Sequence, residues 1–247
     1  MALTAHKNLI QALQTGLPRG VPFDIQAAKS TGVSSALAWH YLKSGWLTRL
    51  ARGVFMFPND ELQRDACLKF VAKQIPGLHV GGKTALAWRG VRHNLLARER
   101  LDLWGDVPGK LPEWFTSRFP SHYAARSLFS KSLPLGFGLQ PLPETPDGPL
   151  VSVPERALLE MLSEVGLRQG VEEARNIMEG VRSVRPEVLE TLLKNCLRLK
   201  VIRLCVQWAQ ELNLDWAAAA RNSAKRKLGK SRWSTRLKDG TTLTLKP

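Results

Sequence analysis

The sequence predicts an α+β fold in two domains, a small N-terminal domain and a larger mixed α/β domain behind it. The first sign is a run of two capped helices and two β-prone stretches between Phe23 and Phe57. The second is a set of short β-prone stretches, separated by proline and glycine, between residues 101 and 153. The third is a series of apolar-periodic helices after Ser152, which ends in a basic hairpin. We place the domain boundary near Pro76, which gives domains of residues 1–75 and 76–247.

Length and composition exclude several classes of protein. At 247 residues, with 44% hydrophobic and 23% charged side chains, the chain is expected to form packed cores rather than a disordered polymer. No run approaches the roughly 18 apolar residues that span a bilayer, so we expect no membrane partner. The N-terminus lacks the pattern of a signal peptide. The three cysteines have no metal-like spacing, which predicts reduced thiols and a cytoplasmic location. We expect no metal and no cofactor.

The net charge of +15 is unevenly distributed along the chain. Residues 1–60 carry six basic and two acidic side chains, and residues 61–150 carry twelve and eight. Residues 151–220 are close to balance, with nine and ten, whereas residues 221–247 carry nine and one. Such an excess favours a polyanionic partner, and nucleic acid is the commonest. The alternative is that the lysines and arginines serve only to keep the protein soluble.

The stretch between Phe23 and Phe57 predicts a winged helix-turn-helix. Asp24 can cap a short helix that runs through Lys29, and Ser34 can cap a second helix that runs to Ser44. Gly32 and Gly45 then supply the turn and the helix end. Two β-prone stretches follow, Trp46–Thr48 and Val54–Phe57, and the basic segment between them has Arg52-Gly53 at its tip.

In a winged helix the second helix enters the major groove, and polar residues near its N-terminus contact base edges. Spacing turns Val33, Leu37 and Tyr41 toward the core and leaves the polar side outward. The predicted DNA-binding residues are Ser34, Ser35, Trp39, His40 and Lys43 on the helix, and Arg49 and Arg52 on the wing. Two alternatives stay open: the motif could mediate only protein contacts, and Trp39 could pack on the first helix instead of touching DNA.

Residues 77–84 match the phosphate-loop pattern, with Gly77, Gly82, Lys83 and Thr84 at the required spacing. A true phosphate loop follows a buried strand and opens a helix, so that backbone N–H groups point at the phosphate. Here an amphipathic helix ended by Pro76 comes first, and the strand-like residues lie inside the loop. We therefore expect a strand-to-helix turn, and nucleotide hydrolysis through Lys83 is the less favoured alternative.

The C-terminal domain contains a second set of basic residues. Ser152 to Glu155 reads as a capping box with proline in the first turn, and three further helices are predicted over 171–179, from Pro186, and over 201–212. An alternating hairpin at 233–245 ends the chain. The predicted secondary basic surface comprises Arg198, Lys200, Arg203, Lys225, Arg226, Lys227, Lys230 and Arg232. A solvated helix corner and the exposed face of an edge hairpin would show the same pattern.

Several motifs together resemble one protein family. They are YLKSGWLTRLARGVF (41–55), LHVGGKTALAWRGVRH (78–93), VSVPERALLEML (151–162) and VRPEVLETLLKNCLRLKVIRL (184–204). With these motifs and the late hairpin, the chain resembles the AbiEi antitoxins and transcriptional regulators of bacterial type IV toxin–antitoxin (abortive-infection) systems. The likeness spans nearly the whole chain. It departs at Val91–Leu96, where a tyrosine-rich segment would be expected.

The resemblance implies an N-terminal winged helix that binds operator repeats in double-stranded DNA and represses its own operon. It also implies a C-terminal domain that counters a nucleotidyltransferase toxin without a stable complex, and it carries over no catalytic residue. Two other functions remain in competition: a stand-alone DNA- or RNA-binding regulator without a toxin partner, and the phosphate-loop enzyme.

Overall fold

A computed structural model describes residues 2–91, 100–229, 232–236, 240 and 242–245. The helices are α1 (Ala2–Gly16), α2 (Ile25–Ser30), α3 (Ser35–Lys43), α4 (Arg64–Gln74), α5 (Gly82–Trp88), α6 (Glu113–Thr116), α7 (Pro154–Glu164), α8 (Val171–Glu179), α9 (Pro186–Asn195), α10 (Leu199–Glu211) and α11 (Ala217–Ala224). The strands are β1 (Phe23–Asp24), β2 (Thr48–Ala51), β3 (Val54–Met56), β4 (His79–Val80), β5 (Leu101–Gly105), β6 (Ser121–Ala125), β7 (Leu139–Gln140), β8 (Val151–Ser152), β9 (Trp233–Arg236) and β10 (Thr242–Leu245). This mixture confirms the predicted α+β class.

The chain divides into two compact units. The first unit comprises Met1–Gln74 and Leu111–Phe119, and the second comprises Ile75–Lys110 and Pro120–Pro247. The sequence did not predict that residues 111–119, including α6, join the first unit. Aromatic packing explains their place, since Trp114 meets Phe70 of α4 edge-on at 6.1 Å between ring centroids.

In the first unit, local capping sets the helix-turn-helix as predicted. The Asp24 carboxylate accepts a hydrogen bond from Ala27 N at 2.8 Å, and the Ser34 hydroxyl accepts one from Leu37 N at 3.2 Å. Gly32 lies between the two helices at φ +88°, a conformation in which a side chain would be strained. The core beneath contains the buried side chains of Leu13, Phe23, Val33, Ala38, Tyr41, Leu47, Phe55 and Phe57.

The wing differs in detail from its prediction. Its first strand covers Thr48–Ala51 rather than Trp46–Thr48, and the connection shrinks to the two residues Arg52 and Gly53. Gly53 at φ +75° makes that tight turn possible. The pairing of β2 with β3 shifts register between Arg49 and Ala51. Strand β1, which the sequence did not indicate, adds a third strand, so the sheet order is β1-β3-β2.

The second unit is built on a five-stranded sheet of order β6-β5-β4-β8-β7. Strands β5 and β6 run parallel with Asp102 opposite His122, and β4 runs antiparallel to β5 and parallel to β8. Helix α5 packs on α7, and α7 also contacts α9 and α10. The short β-prone stretches of residues 101–153 therefore form one sheet, as predicted.

Helix α7 is the central element of the second unit, and its capping box was predicted wrongly. All its residues after Pro154 are buried, including Glu155, Arg156 and Glu160. The N-cap is Val153, without a side-chain hydrogen bond, although proline does occupy the first turn. The Ser152 hydroxyl instead donates to Glu160 at 2.8 Å. The Ser152 hydroxyl is therefore bonded to the buried Glu160 carboxylate and does not cap the N-terminus of the helix.

Helices α8, α9 and α10 also contact α7, and α11 contacts α9 and α10. Helix α8 has its predicted bounds, and α10 begins two residues earlier than predicted. The sequence did not predict α11, which begins at Ala217 and includes the first residues of the basic tail. The late hairpin is confirmed: Leu245 pairs with Trp233, and Leu243 and Leu245 are buried. Across the described ranges, no helix has the length and apolarity to cross a membrane.

Candidate nucleic-acid interface

The outer face of α3 presents the side chains that the sequence singled out. Ser35, Trp39 and Lys43 are spaced four residues apart and are exposed, so they form one row along the helix. Ser34 and His40 are exposed beside this row, and Trp39 leaves 61% of its surface accessible. The opposite side holds Ala38 and Tyr41 in the core. Trp39 therefore does not fill the core of the first unit.

Lys43 and Trp39 interact with each other on this face. The Lys43 ammonium lies 5.2 Å from the centroid of the Trp39 indole. A cation over an aromatic face is stabilised by roughly 0.5–1 kcal/mol at an exposed site. This contact restricts the flexible Lys43 side chain to one side of the helix. Its ammonium group is therefore partly ordered before a phosphate binds there.

The wing adds two guanidinium groups. Arg49 is exposed on β2, and its Nε donates to the Ala51 carbonyl oxygen at 3.3 Å, which holds the side chain along the strand. Arg52 is exposed at the tip of the turn. A Cβ added to the neighbouring Gly53 would meet no heavy atom within 4 Å, so this tip projects away from the described part of the unit.

The acidic residues of the first 60 positions are both engaged elsewhere. Asp24 caps α2. Asp60 accepts a hydrogen bond from Gly20 N at 2.7 Å and pairs with Arg19 at 2.5 Å. Neither carboxylate lies on α3 or the wing, so the exposed face carries cationic and neutral polar groups. This charge pattern suits a phosphate backbone.

The predicted secondary basic surface is only partly a surface. Arg198, Lys225, Arg226 and Arg232 are exposed. Lys230 lies outside the described residues. Arg203 was predicted wrongly as a surface residue: it is 2% exposed, and its Nη2 donates to the Leu228 carbonyl oxygen at 2.8 Å. It ties the chain after α11 to α10, a long-range contact that the local basic pattern could not indicate.

Two lysines of the same set are held by backbone carbonyls. Lys227 is exposed, but its Nζ donates to the carbonyl oxygens of Leu193, Lys194 and Cys196 at 2.6–3.3 Å and so neutralises the C-terminal end of α9. Lys200 is half-buried and donates to the Val165 carbonyl oxygen. Burial lowers the pKa of Lys200, and Glu164 opposes that effect. Both lysines therefore have structural roles before any ligand binds.

The phosphate-loop segment is folded as the predicted strand-to-helix turn, with β4 inside the pattern and α5 beginning at Gly82. The space that a phosphate would need is filled by the Glu160 carboxylate, whose Oε2 accepts a hydrogen bond from Gly82 N at 3.1 Å. A Cβ on Gly81 would lie 2.3 Å from that same oxygen. Lys83 is paired with Glu173 at 3.1 Å. Glycine is needed here for close approach of protein groups, and the resident anion would repel a phosphate.

Two family models match consecutive parts of the chain. One, described as the AbiEi antitoxin N-terminal domain of a transcriptional regulator, matches residues 6–97. The other, described as a transcriptional regulator, AbiEi antitoxin, of type IV toxin–antitoxin systems, matches residues 98–245. The chain belongs to the AbiEi antitoxin family. The family resemblance inferred from the sequence motifs is thus confirmed, and the chain belongs among the transcriptional regulators and antitoxins of type IV systems.

The AbiEi chain also has a similar solved structure. The crystal structure of the RV2827C protein from Mycobacterium tuberculosis is similar with a TM-score of 0.58 at 16% sequence identity, over 94% of this chain and 88% of that one. At this identity the likeness concerns the fold alone. No curated protein matches the chain.

The sequence missed a buried ionic centre in the second unit of this AbiEi chain. The Glu160 carboxylate accepts hydrogen bonds from Arg156 Nε at 2.9 Å, from Ser152 Oγ at 2.8 Å and from Gly82 N. His79 Nε2 lies 3.0 Å from the same carboxylate, and its Nδ1 lies 2.8 Å from the Gly77 carbonyl oxygen. Burial alone raises the pKa of Glu160, but His79 and Arg156 outweigh it and lower the pKa to about 2. The one available signal was a glutamate on the apolar-flanked helix 154–164.

The three cysteine thiols are inert structural groups. Cys67, Cys196 and Cys205 are free and buried, and burial raises the pKa of Cys67 to about 12, with Arg118 opposing. Such thiols are poor nucleophiles. Among the described residues, no group of three His, Cys, Asp or Glu side chains could hold a metal ion.

Proposed function

We propose that the first unit is a sequence-specific DNA-binding module through which this AbiEi chain represses its own promoter. The observation that carries the proposal is the outer face of α3 and the wing, where Ser34, Ser35, Trp39, His40, Lys43, Arg49 and Arg52 are exposed while both carboxylates of residues 1–60 are engaged elsewhere. Helix and wing geometry of this kind places the second helix in the major groove.

The side chains divide into two roles. Ser34 and Ser35 sit at the N-terminal end of α3, the end that reaches base edges, and a serine hydroxyl can donate or accept there. Lys43, Arg49 and Arg52 carry charge at the far end of the helix and on the wing, where they would contact phosphates. The exposed residues Arg198, Lys225, Arg226 and Arg232 would add non-specific affinity from the second unit.

A binding assay with the DNA upstream of the gene tests this division. The full chain should bind with a nanomolar-range Kd and a steep salt dependence. Lys43→Ala combined with Arg52→Ala should weaken binding to all sequences and lower the salt slope by about two, since each phosphate contact contributes about one. Ser35→Ala should instead reduce the discrimination between operator and unrelated DNA.

Lys73→Ala is the control for the position of the charge, because it removes one exposed positive charge from the same unit on α4, outside the helix and the wing. Its Kd should stay that of the wild type. If the double variant binds as the wild type does, or if Lys73→Ala is equally weak, the assigned surface is wrong.

We infer that the antitoxin activity acts on a nucleotidyltransferase toxin without a stable complex, and the support is membership of the type IV family. Co-expression with the product of the neighbouring gene tests it. Rescue of growth should survive Lys43→Ala with Arg52→Ala when both genes are driven from foreign promoters. An adjacent gene whose product is not toxic would favour the stand-alone regulator instead.

A further inference from the structure

A partly open cavity of about 370 Å³ lies in the second unit, next to the first turn of α7. The end of α5, strand β7 and the segment before α9 contribute its other walls. It is lined by Arg89, Gln140, Pro154, Glu155, Ser183, Val184 and Arg185. Its volume falls in the range of about 300–1,000 Å³ that is usual for small-molecule sites.

Arg89 is the half-buried cation of this cavity. Its Nε donates to the Ser152 carbonyl oxygen at 2.8 Å, and its Nη2 lies 3.3 Å from the Val151 oxygen and 3.4 Å from the Gln140 oxygen. Within the described chain, no carboxylate oxygen comes within 4.0 Å of this guanidinium, and Nη1 has no hydrogen-bond partner. A half-buried charge paired only with neutral carbonyls favours the arrival of an anion.

The carboxylate nearest to Arg89 in the lining is already committed. Glu155 accepts from Arg185 N at 2.7 Å and from Arg185 Nε and Nη2 at 3.0 Å each, and its side chain is 1% exposed. Burial lowers the pKa of Arg89, the charge of Arg185 lowers it further, and Glu155 and the exposed Glu144 oppose both. Arg185 is thus fixed beside Arg89, although like charges repel. Binding of a further anion beside the two guanidinium groups would reduce the repulsion between their charges.

Two neutral polar groups complete the lining. The Ser183 hydroxyl and the Gln140 side-chain amide have no hydrogen-bond partner in the part of the chain that the structure describes, and both residues are exposed at the cavity. Pro154 and Val184 provide apolar surface beside them. A lining that combines polar donors with a small apolar wall is typical of ligand pockets.

We propose that this cavity binds a small anionic molecule through a phosphate or carboxylate group. The oxyanion accepts hydrogen bonds from Arg89 Nη1, the Ser183 hydroxyl and the Gln140 amide nitrogen, and Arg185 adds charge without giving up Glu155. Tetrahedral or planar oxyanions suit guanidinium donors because the N–H groups lie in one plane. The remainder of the molecule lies against Pro154 and Val184. The proposal does not depend on DNA binding by the first unit.

Calorimetry and thermal unfolding of the full chain in chloride buffer test the site with three probes: inorganic phosphate, a nucleoside 5′-monophosphate and citrate. At least one probe should bind saturably with one site per chain and raise the Tm. Ser183→Glu, at an exposed position, places a carboxylate at the mouth and should weaken binding by about tenfold or more, in line with the loss of one charged hydrogen bond. Arg89→Lys, which keeps the charge but loses the planar donors, should weaken it as well.

Arg182→Ala is the matched control, since it removes an exposed positive charge one residue from Ser183 without touching the lining. Its affinity should be that of the wild type. Tighter binding of the nucleotide than of phosphate identifies an organic phosphate ligand, and tighter binding of citrate identifies a carboxylate ligand. The proposal is overturned if none of the probes binds saturably at millimolar concentration, or if Arg182→Ala loses as much affinity as Ser183→Glu.

Discussion

Replacing Glu160 with glutamine should strongly destabilise the second unit. The carboxylate is 1% exposed and holds three donors at 2.8–3.1 Å, with His79 Nε2 at 3.0 Å. The glutamine amide keeps one acceptor oxygen, but its NH2 group would face two of the groups that now contact the carboxylate and could not accept a hydrogen bond from them. It also leaves Arg156, whose side chain is 8% exposed, without its anion. Removing one partner of a buried pair costs about 3–5 kcal/mol.

Urea unfolding followed by circular dichroism measures this loss as a fall in the midpoint at an unchanged m-value. The control is Glu190→Gln, which breaks the pair between Glu190 and Lys194 on α9, where the side chains are 45% and 61% exposed. That variant should lose less than about 0.5 kcal/mol, because water screens the pair. If Glu160→Gln costs no more than Glu190→Gln, the four contacts do not stabilise the fold and the reasoning fails.

Three further predictions concern pH and backbone. Because the pKa of Glu160 is lowered from 4.5 to about 2, its contribution to the free energy of unfolding is fully present above about pH 4.5 and should be lost as pH falls toward 2. The expected loss is about 3 kcal/mol, and Glu160→Gln should remove this pH dependence in unfolding measured as a function of pH. Ser34→Ala removes the N-cap of α3 and should lower the stability of the first unit by about 1 kcal/mol in urea melts, whereas Ser34→Asp should retain it. Gly53→Ala should cost about 1–2 kcal/mol through backbone strain alone, since its Cβ meets no atom, and an unchanged Tm would refute the assigned turn.

Much of the helix-turn-helix could be predicted because its signals are local. Asp24 and Ser34 accept hydrogen bonds from backbone groups three residues ahead, so the caps are visible in the order of residues. The exposed row of Ser35, Trp39 and Lys43 follows from helical spacing alone. The wing was harder, because the register of a hairpin depends on the bulge at Arg49–Ala51, and bulges leave no mark in local composition.

The second unit shows why basic and glycine-rich patterns mislead. Arg203 looked like a surface residue among basic neighbours, but its partner, the Leu228 carbonyl, lies 25 residues away. The glycines of residues 77–84 looked like a phosphate cradle, but they admit a carboxylate from a helix 78 residues later in the chain. Each of these partners is set by how strands and helices stack, which the local order of residues does not specify.

The sequence by itself determined the α+β class, the helix caps, the outward face of α3 and membership of the family, since each depends on periodicity, capping chemistry or motif. Only the tertiary structure decided that α6 joins the first unit, that Glu160 neutralises a buried centre, and that Arg89 faces a cavity without a carboxylate partner among the described residues. The physical reason is distance along the chain. A buried charge is defined by the partners that packing brings to it, and those partners come from separate elements.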